Sequence, residues 1–104
     1  MSLSEPGKNS FQCVAILAER DIVRYSPAGV QIVAAKLLHN SEQFEAGSKR
    51  LVEFEIAMLA AGEIAGKLIH APLGNLFRFS GFIARKNRNS KSLVFHLTDF
   101  EPIT

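Results

Sequence analysis

Four cations crowd into seven residues near the C-terminal end of this 104-residue chain. The segment 85–91 reads Arg-Lys-Asn-Arg-Asn-Ser-Lys and contains no acid. Charges at this spacing, separated by Asn and Ser, suit successive phosphates of an extended polyanion, whose counterions they would release. The competing use is a solubilising loop, and composition alone leaves the two even. Other candidates for chemistry fail on inventory. His39, His70 and His96 lie far apart with one cysteine to help them, so no metal-binding spacing is present. Glu53 and Glu55 share a strand face by alternation, but nothing distinguishes an acid from a base between them. Gly62-x-x-x-Gly66-Lys67 is one residue short of a phosphate loop and lacks the following Ser or Thr. No catalytic residue, metal ligand or cofactor is assigned, and the chain is read as non-enzymatic.

Composition bounds what must hold such a segment. The length suits one domain, and 47% apolar residues suffice for a core without disulfides or metal. Cys13 stands alone inside an apolar run, as expected of a small buried hydrophobe in a reducing compartment. No apolar run approaches the ~18 residues of a spanning helix, and no secretion leader is evident, so no membrane and a cytoplasmic location are expected. The net charge of +2 is too small to imply nucleic acid by itself; its arrangement matters.

The elements follow from periodicity. Residues 1–10, with Pro6 and Gly7, read as a flexible leader, and 11–104 as the single domain. Phe11 to Leu17 is an apolar strand, followed by a turn at Ser26-Pro27-Ala28-Gly29. Val30 to Leu38 forms a second strand, and the polar stretch 40–49 reads as a loop or hairpin tip. Arg50 to Met58 alternates, with Val52, Phe54 and Ile56 opposite Glu53 and Glu55. Leu59 to Ile69 has helical spacing weakened by Gly62 and Gly66. Leu76 to Ala84 is a strand with a bulge or bend at Gly81, and Ser92 to Phe100 alternates again. The prediction is an all-β fold: a five-stranded OB-fold barrel with a short helix between strands three and four. An open five-stranded sheet with one helix is the runner-up.

In that layout the basic segment joins the last two strands, where OB-folds commonly contact oligonucleotides. Arg85, Lys86, Arg88 and Lys91 are therefore the expected phosphate contacts, supported by Lys36, Arg50 and Arg78. Phe82, opposite the Phe77/Phe79 face, is the best base-stacking candidate, with a dimer contact or a second small core as its alternatives; Tyr25 and Phe44 come next. With no Trp in the chain, charge is expected to dominate the affinity.

Three strings carry a family resemblance. Arg24-Tyr25-Ser26-Pro27-Ala28-Gly29 resembles the first hairpin of bacterial single-stranded DNA-binding proteins and, more closely, of the primosomal replication protein N family. His39-Asn-Ser-Glu-Gln-Phe-Glu-Ala-Gly47 is similar to that family's His-x-Ser-x-Gln-x-Glu-x-Gly stretch. Ser80-Gly81-Phe82-Ile83-Ala84, a basic loop and Leu93-Val94-Phe95-His96 continue the match, which spans about residues 9 to 103. The resemblance implies an OB-fold homodimer that binds single-stranded DNA in replication restart. It also implies partners: the restart helicase, a helicase-loading protein and the single-stranded DNA-binding protein. The family's DNA contacts map onto Arg85, Lys86, Arg88 and Lys91. Two departures stand out: the loop is shorter, and Glu53 occupies the place of an aromatic that contributes to DNA binding. A general strand-coating protein shares the fold but usually ends in a long acidic tail; an adaptor docking an acidic partner on the basic loop is the other alternative.

Overall fold

The computed structural model describes residues 7–103, so most of the leader expected over 1–10 lies outside the described residues. Its last part is tied down: the Asn9 carboxamide donates to the Ile83 carbonyl at 2.7 Å and accepts from the Ile83 N–H at 3.1 Å. The elements are β1 (Phe11–Arg20), β2 (Arg24–Tyr25), β3 (Gln31–Glu45), β4 (Ser48–Ala61), α1 (Glu63–Leu68), β5 (Leu76–Arg85) and β6 (Leu93–Pro102). The sheet runs β1-β5-β6-β4-β3, and β3 pairs back onto β1, closing a five-stranded barrel. β2 is a two-residue addition on the β3 edge, at Ile32 and Gln31.

β1 makes the closure possible by serving two neighbours. Its first half pairs with β5 and its second half with β3, and the register shifts between Leu17 and Glu19. That bulge bends the strand around the barrel corner. β4 and β6 meet in parallel at Met58↔Phe95 and Leu59↔His96. Within the barrel the five long strands alternate inward and outward residues, and Phe79, Phe95, Leu17, Leu37, Met58, Val33 and, from α1, Leu68 are fully buried. Each such side chain is worth roughly 1.5–3 kcal/mol of apolar burial.

Two boundaries move furthest from the sequence prediction. The helix expected over 59–69 shrinks to Glu63–Leu68, because β4 continues to Ala61 with Ala60 inside the barrel. Small apolar residues satisfy both periods there, and pairing with β3 decides for strand. The loop expected over 40–49 contracts to a two-residue turn. β3 and β4 stay paired to Glu45↔Ser48 and form a ribbon beyond the barrel. Ala46 and Gly47 both take positive φ, 52° and 80°, the geometry that matches the twist of a tight hairpin.

The bend expected at Gly81 is real, and its cause lies across the sheet. Ser80 faces Asp99 and Gly81 faces Leu97, leaving Thr98 of β6 as the extra residue. A Cβ on Gly81 would sit 1.8 Å from the His96 carbonyl oxygen. The bulge also shifts the inward parity of β6, so Leu97 and then Phe100 face the core side. Leu93, at the start of the alternating stretch opposite Arg85, is 59% exposed.

Candidate nucleic-acid interface

β5 and β6 set the basic segment at one end of the barrel. Arg85 closes the β5–β6 ladder opposite Leu93, and the Lys86 N–H donates to the Ser92 carbonyl at 2.9 Å. Inside that gate the backbone is turned by its own polar side chains. Asn87 Oδ1 accepts from the Asn89 N–H at 2.9 Å, and Ser90 Oγ accepts from the Ser92 N–H at 3.0 Å. Asn and Ser at these positions hold the turn and leave the charges outside. Arg85, Lys86, Arg88 and Lys91 are all exposed, and none has an ion-pair or side-chain hydrogen-bond partner among the described residues.

The three supporting cations are differently placed. Lys36 Nζ lies 3.7 Å from Glu19 and 3.5 Å from Glu55. Arg50 Nη1 donates to Glu45 at 2.7 Å, and Arg78 Nη1 donates to Glu101 at 2.7 Å, across the β5–β6 ladder. These exposed pairs are each worth on the order of 1 kcal/mol or less, but they divide the cations into compensated and uncompensated sets. Position divides them further. Arg50 belongs to the β4 row whose barrel end, Met58 and Ala60, is buried; Lys36 lies on the opposite, outward face with Ala57. Neither Arg78 nor Arg50 lines the groove that Lys36 shares with Lys86.

That surface is a groove of about 690 Å³ across the outer face of β3, β4 and β6. Ala34, Ala57 and Leu59 line it, Lys36 and Arg24 stand along it, and Lys86 enters from the basic segment. Its volume falls in the roughly 300–1,000 Å³ range of built ligand sites. Phe82, the expected stacking residue, is 39% exposed on the same outer face. It is not free: its ring lies parallel to His96, centroids 4.9 Å apart and planes within 1°. His96, weighed by sequence only as a metal ligand and set aside, lines the groove. Its alternation opposite Phe95 and Leu97 was a signal that it faces outward, but the parallel β4–β6 contact that puts it beside Leu59 was not readable.

The other candidates have structural explanations. The His39 Nδ1–H donates to the Val14 carbonyl at 2.7 Å, leaving Nε2 to accept from Ser41 Oγ at 2.7 Å. The ring thereby clamps β1 where it leaves β3, and stacks on Phe54 at 4.8 Å. Cys13 is buried beside it, and burial pushes its thiol pKa up. Glu53 and Glu55 are exposed on the outward face of the ribbon, with Phe44 (76% exposed) near its tip. Among the described residues no group of three or more His, Cys, Asp or Glu side chains is placed to hold a metal ion. None of the described helices is long and apolar enough to cross a membrane.

The closed five-stranded barrel with one short helix is an OB-fold. A family model described as another single-strand binding protein family matches residues 9–99. The replication restart protein PriB of Nitrosomonas europaea is 47% identical over 76 residues, 73% of this chain and 70% of that protein. The PriB of Bordetella pertussis is 35% identical over 89 residues, 86% of this chain and 83% of its own length. The solved structure of PriB from Ralstonia solanacearum matches with a TM-score of 0.85 at 42% identity, covering 92% of this chain and 98% of that one. The single-stranded DNA binding protein from Thermus aquaticus shares the fold, with a TM-score of 0.73 at 20% identity over 93% of this chain and 50% of that one. The chain belongs to the PriB family of replication restart proteins.

Proposed function

We propose that this protein binds single-stranded DNA during replication restart, stimulating the restart helicase and primosome assembly without catalysis of its own. The observation that carries the reading is the set of four cations at 85–91, exposed and without a carboxylate partner among the described residues, beside an open groove. An unpaired cation gives up no ion pair when it meets a phosphate, so each contact adds counterion release in full. Lys36 contributes from the groove after exchanging its carboxylate partners. Arg50 and Arg78, outside the groove lining and already paired, add general field rather than contacts. The protein works as a homodimer, and the helicase, the helicase-loading protein and the single-stranded DNA-binding protein are its partners by family membership. It acts in the cytoplasm.

Fluorescence anisotropy with labelled oligo-dT, against a duplex of equal length, tests the reading. Binding is expected to favour the single strand and to fall with salt. Equal affinity for the duplex, or a log-affinity slope near zero against log salt, overturns it. Light scattering checks the dimer.

A further inference from the structure

Outward side chains of four strands fall into one row across the barrel face. Ala34 faces Leu59, Leu59 faces His96, and His96 faces Phe82. With Ala57 beside this row, Ala34, Ala57 and Leu59 give the groove an apolar floor. The imidazole of His96 lines the groove, whereas Phe82 backs it from the β5 side. One imidazole face is thus covered by a parallel ring in a residue that lines the groove. The walls differ in charge. On the β3 side Glu19 and Asp21 are matched by Lys36 and Arg24, whereas Lys86 on the β5 side has no carboxylate partner among the described residues. A phosphate therefore meets an uncompensated cation at Lys86, while an uncharged ring suits the apolar floor beside it.

We propose that one base of the bound strand lies over Ala57 and Leu59 and stacks on His96, extending the His96–Phe82 stack by one ring, with a flanking phosphate at Lys86. The site rests on the reading of this chain as a single-strand binder. Stacking of this kind accepts any base, because every base has a π face. It also discriminates against duplex, whose bases are already stacked and paired. A chain without Trp thereby gains a stacking element from a histidine buttressed by a phenylalanine.

The test uses the full chain, fluorescein-labelled oligo-dT and a salt series, with unfolding curves confirming that each variant folds. Ala57→Leu adds bulk at an exposed position facing the groove, and His96→Leu removes the ring. Each is expected to weaken binding by about five- to a hundredfold at every salt concentration with the wild-type slope retained. His96→Phe keeps a stacking ring and is expected to bind within about threefold of wild type. A 2-aminopurine placed within the oligo-dT should be quenched by the wild type and not by His96→Leu. The proposal is overturned if Ala57→Leu and His96→Leu bind like the wild type. Loss confined to the salt slope, or His96→Phe as weak as His96→Leu, also overturns it. A wild type that binds no oligo-dT is a separate outcome, which removes the functional reading itself.

Discussion

Replacing Arg85, Lys86, Arg88 and Lys91 with Ala tests whether compensated and uncompensated cations differ in kind. All four are exposed, and no carboxylate neutralises them among the described residues. Each phosphate neutralised on a single strand contributes about 0.7 to the slope of log affinity against log salt, so four contacts give about 2.8. Between roughly 50 and 200 mM salt that slope amounts to about a fiftyfold change in affinity, which the variant should lose. The control removes a pair rather than a charge. Arg78→Gln with Glu101→Gln deletes the 2.7 Å ion pair and leaves the net charge unchanged. It is expected to keep the wild-type slope within about 0.3, less than half of one contact. Anisotropy titrations with oligo-dT at five or six salt concentrations read both. A quadruple variant with the wild-type slope, or a pair deletion that loses a full contact, refutes the division of the cations.

Three further outcomes follow from the same geometry. Glu19→Gln with Glu55→Gln releases Lys36, so oligo-dT affinity at low salt should rise about three- to tenfold and the slope steepen by about 0.7; an unchanged titration would place Lys36 away from the DNA. Gly81→Ala forces a Cβ to 1.8 Å from the His96 carbonyl oxygen, a backbone atom that cannot swing away, and should cost about 2–4 kcal/mol in chemical denaturation; a loss under about 0.5 kcal/mol would mean the β6 bulge relaxes freely. Burial raises the Cys13 thiol pKa, so at a given pH less thiolate is present than on an open chain, and a thiol reagent at pH 8 should react far more slowly with the native than with the unfolded protein; equal rates would contradict the burial.

Much of this molecule was legible from residue order because local rules and the fold agree. Alternation in 50–58, the turn residues at 26–29 and the parity of Phe77 and Phe79 each specify one face or one reversal, and the barrel uses them as written. Gly81 signalled a bulge through its missing side chain, although the extra residue is Thr98 on the partner strand. Where two local periods coexist, as in the alanine-rich run 59–65, sequence had no means of choosing. The β3 register kept Ala60 in a strand and delayed the helix to Glu63.

The basic segment itself, its lack of acids and its place between two strands were properties of the chain alone, because they depend only on neighbouring residues. Which cations are free was not. Glu101 neutralises Arg78 from 23 residues away, and Glu19 and Glu55 hold Lys36 from two different strands. The groove likewise exists only after closure, when a short parallel contact brings His96 of β6 beside Leu59 of β4 and a bulge lays Phe82 against it. Periodicity assigns a side chain to a face; pairing between distant strands decides what shares that face, and hence which charges remain available to a phosphate.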